Sequence, residues 1–220
     1  MDKIGKALLL ISIISSFEPA KTITSEIKYK DTRKVIILDP GHGMDNKGNW
    51  PLSKEWKFDE GATYKKYRET DIVLEQAKTI KNMLDSTKYK VILTREDNFI
   101  PTPLRFRPYF ANQNNADLFI SLHTNNFELR RIKGSEVFYR ENKNRGLAKL
   151  AAKNLEKFTP IENRQVKKRN YIVLDSINCP AILIEPGYLS NSRDRKYLTD
   201  TIPDIEKAIA KTIKDYFSNN

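Results

Sequence analysis

Three apolar runs, each followed by a residue with metal-binding or acid-base chemistry, constrain the fold of this chain more than any other feature. They span residues 35–38, 116–122 and 181–184. His42 follows the first run after a Pro-Gly turn, His123 closes the second and Glu185 closes the third. Short unbroken runs of this kind are typical of strands buried on both faces. Because α/β sheets place their ligand sites at the carboxyl ends of strands, we expect these three residues to share a site.

Helical and extended segments alternate along the rest of the chain. The segments predicted as helices are 71–86, 105–114, 147–158 and 205–217. The further segments predicted as strands are 90–94, 134–139 and 171–174. Thr70 or Asp71 is expected to cap the first helix with its side chain. This alternation predicts an α/β sandwich with a largely parallel sheet.

The composition is that of a globular protein with a strong positive charge. The 220 residues are 39% hydrophobic and 30% charged, which is enough for one domain with a full core. The net charge of +11 favours anionic partners such as nucleic acid, anionic lipid or a polyanionic cell envelope. The single cysteine, Cys179, cannot form an internal disulfide, and we expect it to be a small core residue.

The first 20 residues have the pattern of a signal peptide. Lys3 and Lys6 precede an apolar run, residues 7–14, which is too short to span a bilayer as a helix. We therefore predict export to the periplasm, the cell envelope or the medium, without stable membrane insertion after processing. Residues 21–33 are interpreted as a lead-in segment, and residues 34–220 as the folded domain.

The residue types at the strand ends indicate a zinc site. A catalytic zinc ion is commonly bound by two imidazoles and one carboxylate, with a fourth position left open to water. His42 and His123 can supply the nitrogens, and either Glu69 or Glu185 can supply the carboxylate. The other glutamate would then be the general base. Spacing alone leaves this choice open.

Four sequence motifs, which occur at 39–43, 68–74, 121–125 and 184–191, resemble those of the zinc-dependent N-acetylmuramoyl-L-alanine amidases of the amidase-3 family. The resemblance implies a single catalytic domain over 34–220, with a mixed, mostly parallel sheet sandwiched between helices. It also implies that His42, Glu69 and His123 bind zinc and that Glu185 is the catalytic carboxylate. The reaction implied is cleavage of the amide between the lactyl group of N-acetylmuramic acid and L-alanine in peptidoglycan.

Other residues of the motifs carry weaker expectations. Asn125 could hold the substrate peptide or orient the site, and it is predicted as a substrate-binding residue. Arg95, Asp97 and Arg107 are expected to form a structural ion-pair set. The turn 59–62 also resembles the family, which localises an insertion to 45–58 within a long loop that is interpreted as either a lid or an ordered surface loop.

Two other functions stay open at this point. The chain could be a zinc peptidase that cuts within the stem peptide, or a wall-binding module without catalysis. The module is disfavoured because it would have no need of all four site residues. Nucleic acid is not expected as a partner because only the charge supports it and no binding motif is present. Peptidoglycan is the expected partner, and a monomer is favoured.

Overall fold

The computed structural model describes residues 31–45, 56–199 and 203–218. These residues belong almost entirely to one compact unit, Thr32–Asn220. The predicted signal peptide, the lead-in up to residue 30 and residues 46–55 of the predicted insertion lie outside the described residues. Within the described part of the chain, no helix has both the length and the apolar character needed to cross a bilayer.

The described chain contains ten strands and five α-helices, in an order that largely alternates. The strands are β1 (Lys34–Pro40), β2 (Gly43–Asp45), β3 (Lys57–Asp59), β4 (Thr63–Tyr64), β5 (Tyr67–Arg68), β6 (Tyr89–Leu93), β7 (Leu118–Leu122), β8 (Ser135–Tyr139), β9 (Asn163–Lys168) and β10 (Ala181–Glu185). The helices are α1 (Glu69–Leu84), α2 (Phe106–Gln113), α3 (Arg145–Phe158), α4 (Ser192–Thr199) and α5 (Asp204–Ser218).

Six strands form the central sheet, in the order β6-β1-β7-β10-β8-β9. The first four strands of this order are parallel to one another. Strand β8 pairs antiparallel with β10 and parallel with β9, so the last two strands run the opposite way. The mixed, mostly parallel sheet predicted by the family resemblance is therefore confirmed. This topology places the carboxyl ends of β1, β7 and β10 side by side.

Successive residues of the central strands pack into two different layers. In β1, Ile36 and Leu38 belong to a core shared with α1, α3 and α5, whereas Ile37 belongs to a smaller core on the other face. Helix α2 contributes Ala111 to the smaller core, and Cys179 lies there as well. Cys179 is buried, as predicted, and burial raises the pKa of its thiol to about 11, which keeps it protonated and unreactive. The helices thus sandwich the sheet, as the prediction requires.

Two local predictions were wrong, and strand β9 was not predicted. The segment predicted as a strand at 171–174 forms a 3₁₀ helix, Ile172–Leu174, because its backbone closes turn hydrogen bonds within the segment instead of joining the sheet. Strand β9 escaped prediction because it is a half-exposed edge strand whose one aliphatic residue is Val166. Helix α1 begins at Glu69, and neither Thr70 nor Asp71 caps it with a side chain.

Candidate active site

The carboxyl edge of the parallel strands brings the predicted site residues together. Glu185 is the last residue of β10, His123 follows β7 directly and His42 lies two residues after β1. The backbone N–H of His123 donates to the carbonyl of Ile184 (3.0 Å), which ties the ends of β7 and β10 to each other. Glu69 reaches the same edge as the first residue of α1.

His42, Glu69 and His123 form a cluster whose potential ligand atoms all lie within 4.8 Å of one another. The Nε2 atom of His42 is 3.1 Å from Oε2 of Glu69, and Nδ1 of His123 is 3.0 Å from Oε1 of Glu69. Both imidazoles are partly exposed, whereas the Glu69 side chain is only 4% exposed. The buried carboxylate therefore lies between two imidazoles that solvent can reach.

Two backbone amides complete the surroundings of the Glu69 carboxylate. Ala62 N–H donates to Oε2 and Thr124 N–H donates to Oε1, each at 2.7 Å. Burial alone would raise the pKa of Glu69, but the hydrogen bonds and charges of His123 and His42 lower it far below its ordinary value. Glu69 is therefore ionised at neutral pH, as a metal ligand has to be.

Asp59 orients His42 toward the cluster. The Nδ1 atom of His42 lies 2.7 Å from Oδ2 of Asp59, which leaves Nε2 to face Glu69. Burial would lower the pKa of His42, but the contacts with Asp59 and Glu69 raise it to about 9. Metal-binding histidines usually donate their second ring nitrogen to a carboxylate in this way. Asp59 stands in the 59–62 turn, so the family resemblance of that turn was the signal for its role.

Two buried arginines hold the loop that carries His42. Arg95 donates to the carbonyls of Pro40 (2.9 Å) and Gly41 (2.6 Å). Arg107 donates to the carbonyl of His42 (2.7 Å) and pairs with Asp39 (2.8 Å). His42 itself has a φ of 63°, a left-handed conformation that is strained for a residue with a side chain. The arginine contacts stabilise this strained loop.

The predicted ion-pair set needs correction in one partner. Arg107 does form a buried ion pair, but with Asp39 instead of Asp97. Arg95 donates a hydrogen bond to the backbone carbonyl of Asp97 (3.4 Å). The Asp97 carboxylate accepts hydrogen bonds from the backbone N–H groups of Phe99 and Ile100. Asp97 therefore caps a local turn, and the arginines serve the strand-end loop. Sequence spacing could not show this because Asp39 is remote in the chain from Arg107.

Two glycines allow the cluster to close. A Cβ atom added at Gly41 would lie 2.3 Å from Cε1 of His123. A Cβ atom added at Gly61 would lie 2.6 Å from Cδ2 of His42, and Gly61 also has a φ of 67°. Carbon atoms cannot approach so closely, so both positions require glycine for the rings to pack as they do.

Glu185 occupies different surroundings from Glu69. Its Oε2 atom accepts a hydrogen bond from the Asn125 amide at 2.6 Å. Burial raises the pKa of Glu185 to about 8, the negative charges of Glu136 and Glu69 add to that effect, and the Asn125 hydrogen bond opposes it. A carboxylate with a pKa near neutrality is suited to accept and return a proton.

A broad cleft adjoins this edge of the sheet. It has a volume of about 660 Å³, and its lining comprises Tyr64, Asn126, Phe127, Glu128, Arg130 and Ser190. Asn126 follows Asn125 directly, and Tyr64 belongs to the β4–β5 hairpin that leads into Glu69. The Arg195 guanidinium lies over the Tyr64 ring, 4.3 Å from its centroid, and the Phe127 side chain is 52% exposed. The cleft therefore offers aromatic and cationic surfaces on the chain segments that precede Glu69 and follow His123.

The donor set fits a metal ion. Two imidazole nitrogens and one ionised carboxylate converge from three chain segments, and Asp59 already orients one of the imidazoles. Two residues beside the cluster were not predicted from the sequence: Asp59, and the buried Glu136, whose carboxylate accepts a hydrogen bond from the Asn125 amide (2.9 Å). An acidic residue inside the apolar strand 134–139 was the available signal for Glu136.

Comparison with known proteins gives the same family. A model of the family described as N-acetylmuramoyl-L-alanine amidase (Amidase_3) matches residues 36–215. The Staphylococcus saprophyticus protein named "Probable cell wall amidase LytH" is 30% identical over 188 residues, which cover 84% of this chain and 59% of that protein. The chain thus spans 59% of the length of such curated relatives.

Solved structures agree with this match. The catalytic domain of CwlV, an N-acetylmuramoyl-L-alanine amidase from Bacillus (Paenibacillus) polymyxa, is 28% identical with a TM-score of 0.73, over 84% of this chain and 98% of that one. The CwlD amidase from Clostridioides difficile, solved in complex with the GerS lipoprotein, is 31% identical with a TM-score of 0.74, over 86% and 100% of the two chains. This chain therefore belongs to the N-acetylmuramoyl-L-alanine amidase family, as its four motifs predict.

Proposed function

We propose that this chain is a zinc-dependent hydrolase that cleaves the amide between the lactyl group of N-acetylmuramic acid and L-alanine in peptidoglycan. The observation that carries the proposal is the convergence of two imidazoles and one ionised carboxylate within 4.8 Å at the sheet edge that also holds Glu185. Family membership supplies the identity of the bond. The predicted signal peptide and the name of the staphylococcal relative support action outside the cytoplasm.

His42, Glu69 and His123 would hold the zinc ion. His42 would bind through Nε2 because Asp59 occupies Nδ1, and His123 through Nδ1, the atom nearest Glu69. Two nitrogens and one oxygen are a common ligand set of catalytic zinc. When bound, zinc supplies Lewis acidity, which polarises a carbonyl group and lowers the pKa of water toward about 7.

Glu185 would move the proton. Its carboxylate accepts a proton from the attacking water, whose oxygen forms the new bond to the lactyl carbonyl carbon. The bond from that carbon to the alanine nitrogen then breaks, and Glu185 delivers the proton to the nitrogen. The products are a lactyl carboxylate and a peptide with a free L-alanine amino terminus. The raised pKa of Glu185, about 8, supports both halves of this role.

The cleft beside the site would accept the polymer. Exposed aromatic rings such as Phe127 offer flat apolar surfaces for sugar rings or for the stem peptide. Arg130 can pair with substrate carboxylates, and the net charge of +11 attracts an anionic wall. Asn125 stays a predicted substrate-binding residue, although its amide nitrogen already donates to Glu136 and Glu185.

Product analysis tests the proposal. Purified protein is incubated with peptidoglycan, with and without a chelator, and the new termini are identified by mass spectrometry. We expect free L-alanine amino termini paired with lactyl carboxylates, which disappear with the chelator and return with Zn²⁺. New termini inside the stem peptide would indicate a peptidase, and intact peptidoglycan would favour a binding module.

A further inference from the structure

Glu136 is a buried carboxylate that the reaction described above does not use. It belongs to β8, is 5% exposed and pairs in register with Glu185 across the antiparallel β8–β10 ladder. Its Oε1 atom accepts hydrogen bonds from Tyr188 Oη (3.0 Å) and Gln165 Nε2 (2.8 Å) and lies 3.1 Å from Arg164 Nε. Its Oε2 atom accepts from the Asn125 amide (2.9 Å). All these contacts fix one orientation of the carboxylate.

Asn125 connects the two carboxylates. Its Nδ2 atom donates to Oε2 of Glu136 at 2.9 Å and to Oε2 of Glu185 at 2.6 Å, so both amide protons are used. Its Oδ1 atom accepts from the N–H of Asn126 (2.8 Å), and its backbone bonds to Gly187 and Leu189, just beyond β10. The amide group is therefore held from its oxygen side and from its backbone.

We propose that Glu136 is a positioning residue for Glu185: it anchors the Asn125 amide, and the amide holds the Glu185 carboxylate in one orientation at the site. The inference rests on the proposed function, since it assigns Glu185 as the base. In this arrangement Asn125 acts as a positioning residue too. A general base has to lie within hydrogen-bonding reach of the proton that it takes, so its orientation matters as much as its pKa.

A purely structural role explains Glu136 less well. Its ion pair with Arg164 involves a side chain that is 46% exposed, and such pairs stabilise a fold by only about 0–1 kcal/mol. The charge of Glu136 also raises the pKa of the neighbouring Glu185. Both oxygen atoms of Glu136 accept hydrogen bonds, and Oε2 accepts from the Asn125 amide. The placement of Glu136 is therefore better explained by its contact with Asn125 and, through Asn125, with Glu185.

The charged and titratable groups around Glu185 give the inference a distinctive signature. They come from β8, α1, the segment after β1 and the segments beside β10, and comprise Glu136, Glu69, His42, Tyr171 and Tyr188. The charge of Glu136 raises the pKa of Glu185, and the hydrogen bond from Asn125 lowers it, with the charge as the larger of the two effects. Removing the charge of Glu136 should therefore lower the pKa of Glu185, whereas removing the Asn125 amide should raise it.

The test compares E136Q with N125A in the full chain at equal metal content. The ionisation of Glu185 is followed by NMR of ¹³C-labelled glutamate carboxyls, and the resonance is identified by its loss in E185Q. We expect the pKa of Glu185 to fall by about one unit in E136Q, from the removal of a nearby charge, and to rise in N125A. The control is E162Q, which removes the same charge from an exposed residue close to β9.

A pH profile of kcat/KM gives the second readout. The acidic limb should move down in E136Q and up in N125A, and kcat on the plateau should fall about tenfold in both, because Glu185 is less well oriented. If the protein cleaves no peptidoglycan, the NMR titration still decides whether Glu136 and Asn125 control Glu185. The inference is overturned if the two variants shift the pKa of Glu185 in the same direction. It is also overturned if the pKa of Glu185 and the pH profile of kcat/KM are the same in E136Q as in E162Q. N125A serves alone if E136Q does not fold, because Asn125 is only partly buried.

Discussion

Glu69 and Glu185 lie at the same edge of the sheet, yet their surroundings have opposite effects on them. Glu69 receives two backbone N–H groups and lies between two imidazoles, so its pKa is lowered. Glu185 receives one amide and faces the buried carboxylate of Glu136, so its pKa is raised to about 8. The same side chain is thus kept ionised in one half of the site and able to take up a proton in the other.

The backbone explains part of this difference. Glu69 is in the first turn of α1, where the helix dipole favours a negative charge. Glu185 ends β10 beside β8, a strand that runs the opposite way and brings Glu136 level with it. Because β8 runs antiparallel to β10, the start of β8 lies beside the end of β10. The reversal of strand direction therefore places Glu136 next to Glu185.

The largest expected effect comes from exchanging each glutamate for glutamine. E69Q should lose most of its zinc and its activity, because a ligand has been weakened. E185Q should keep zinc while turnover falls roughly 10²–10⁴-fold, the range that general-base catalysis supplies. Metal analysis and amide cleavage are measured side by side for both proteins.

The reverse result would exchange the two roles. If E185Q sheds metal and E69Q keeps it, Glu185 is the ligand and Glu69 the base. Near-wild-type cleavage by E185Q would contradict both assignments. The H123A variant is the positive control for metal loss, since His123 belongs to the cluster in either arrangement.

The next largest effect concerns Arg107, which holds the loop that carries His42. Arg107 pairs with Asp39, a fully buried carboxylate. Burial would raise the pKa of Asp39, but Arg107 and the hydroxyls of Thr94 and Ser121 lower it. R107M leaves this charge unpaired and should cost about 3–5 kcal/mol in the free energy of unfolding, measured with urea.

A matched control for R107M is available one residue before α2. Arg105 is exposed, and R105M should change stability by no more than about 0.5 kcal/mol. Equal stabilities for the two variants would show that Asp39 is not held by Arg107. It would also mean that Arg107 does not stabilise the strained conformation of His42.

A smaller effect is expected from the close packing at Gly41. In G41A the new methyl group would displace the ring of His123, and the affinity for zinc should fall about 10–100-fold, the range seen when the support of a metal ligand is disturbed. Gly146 in α3 has no atom within 4 Å of an added Cβ, so G146A is the control and should be slightly stabilising. Unchanged affinity in G41A would mean that His123 can move freely.

The sequence predicted the framework of this site better than its supports. His42, His123 and Glu185 could be found because buried strands end in recognisable apolar runs, and the sheet edge follows from their parallel direction. Asp39–Arg107, Asp59–His42 and Glu136–Glu185 join residues that are distant in sequence or lie on neighbouring strands. These pairs depend on the order and register of the strands, which cannot be read from a single sequence.

The smallest expected effect tests the raised pKa of Glu185 through stability. Between its ordinary pKa of 4.5 and the native value of about 8, the native state keeps a proton that the unfolded state has lost. Stability from this group is therefore fully present below pH 4.5 and is lost as the pH rises, by at most about 1.4 kcal/mol per pH unit. E185Q lacks this loss, so its stability relative to wild type should rise by roughly 2 kcal/mol from pH 5 to pH 6.5 in urea unfolding of the metal-free protein. E162Q is the control for removal of an exposed charge. If the stabilities of E185Q and wild type change with pH in parallel, the pKa of Glu185 is not raised in the native state.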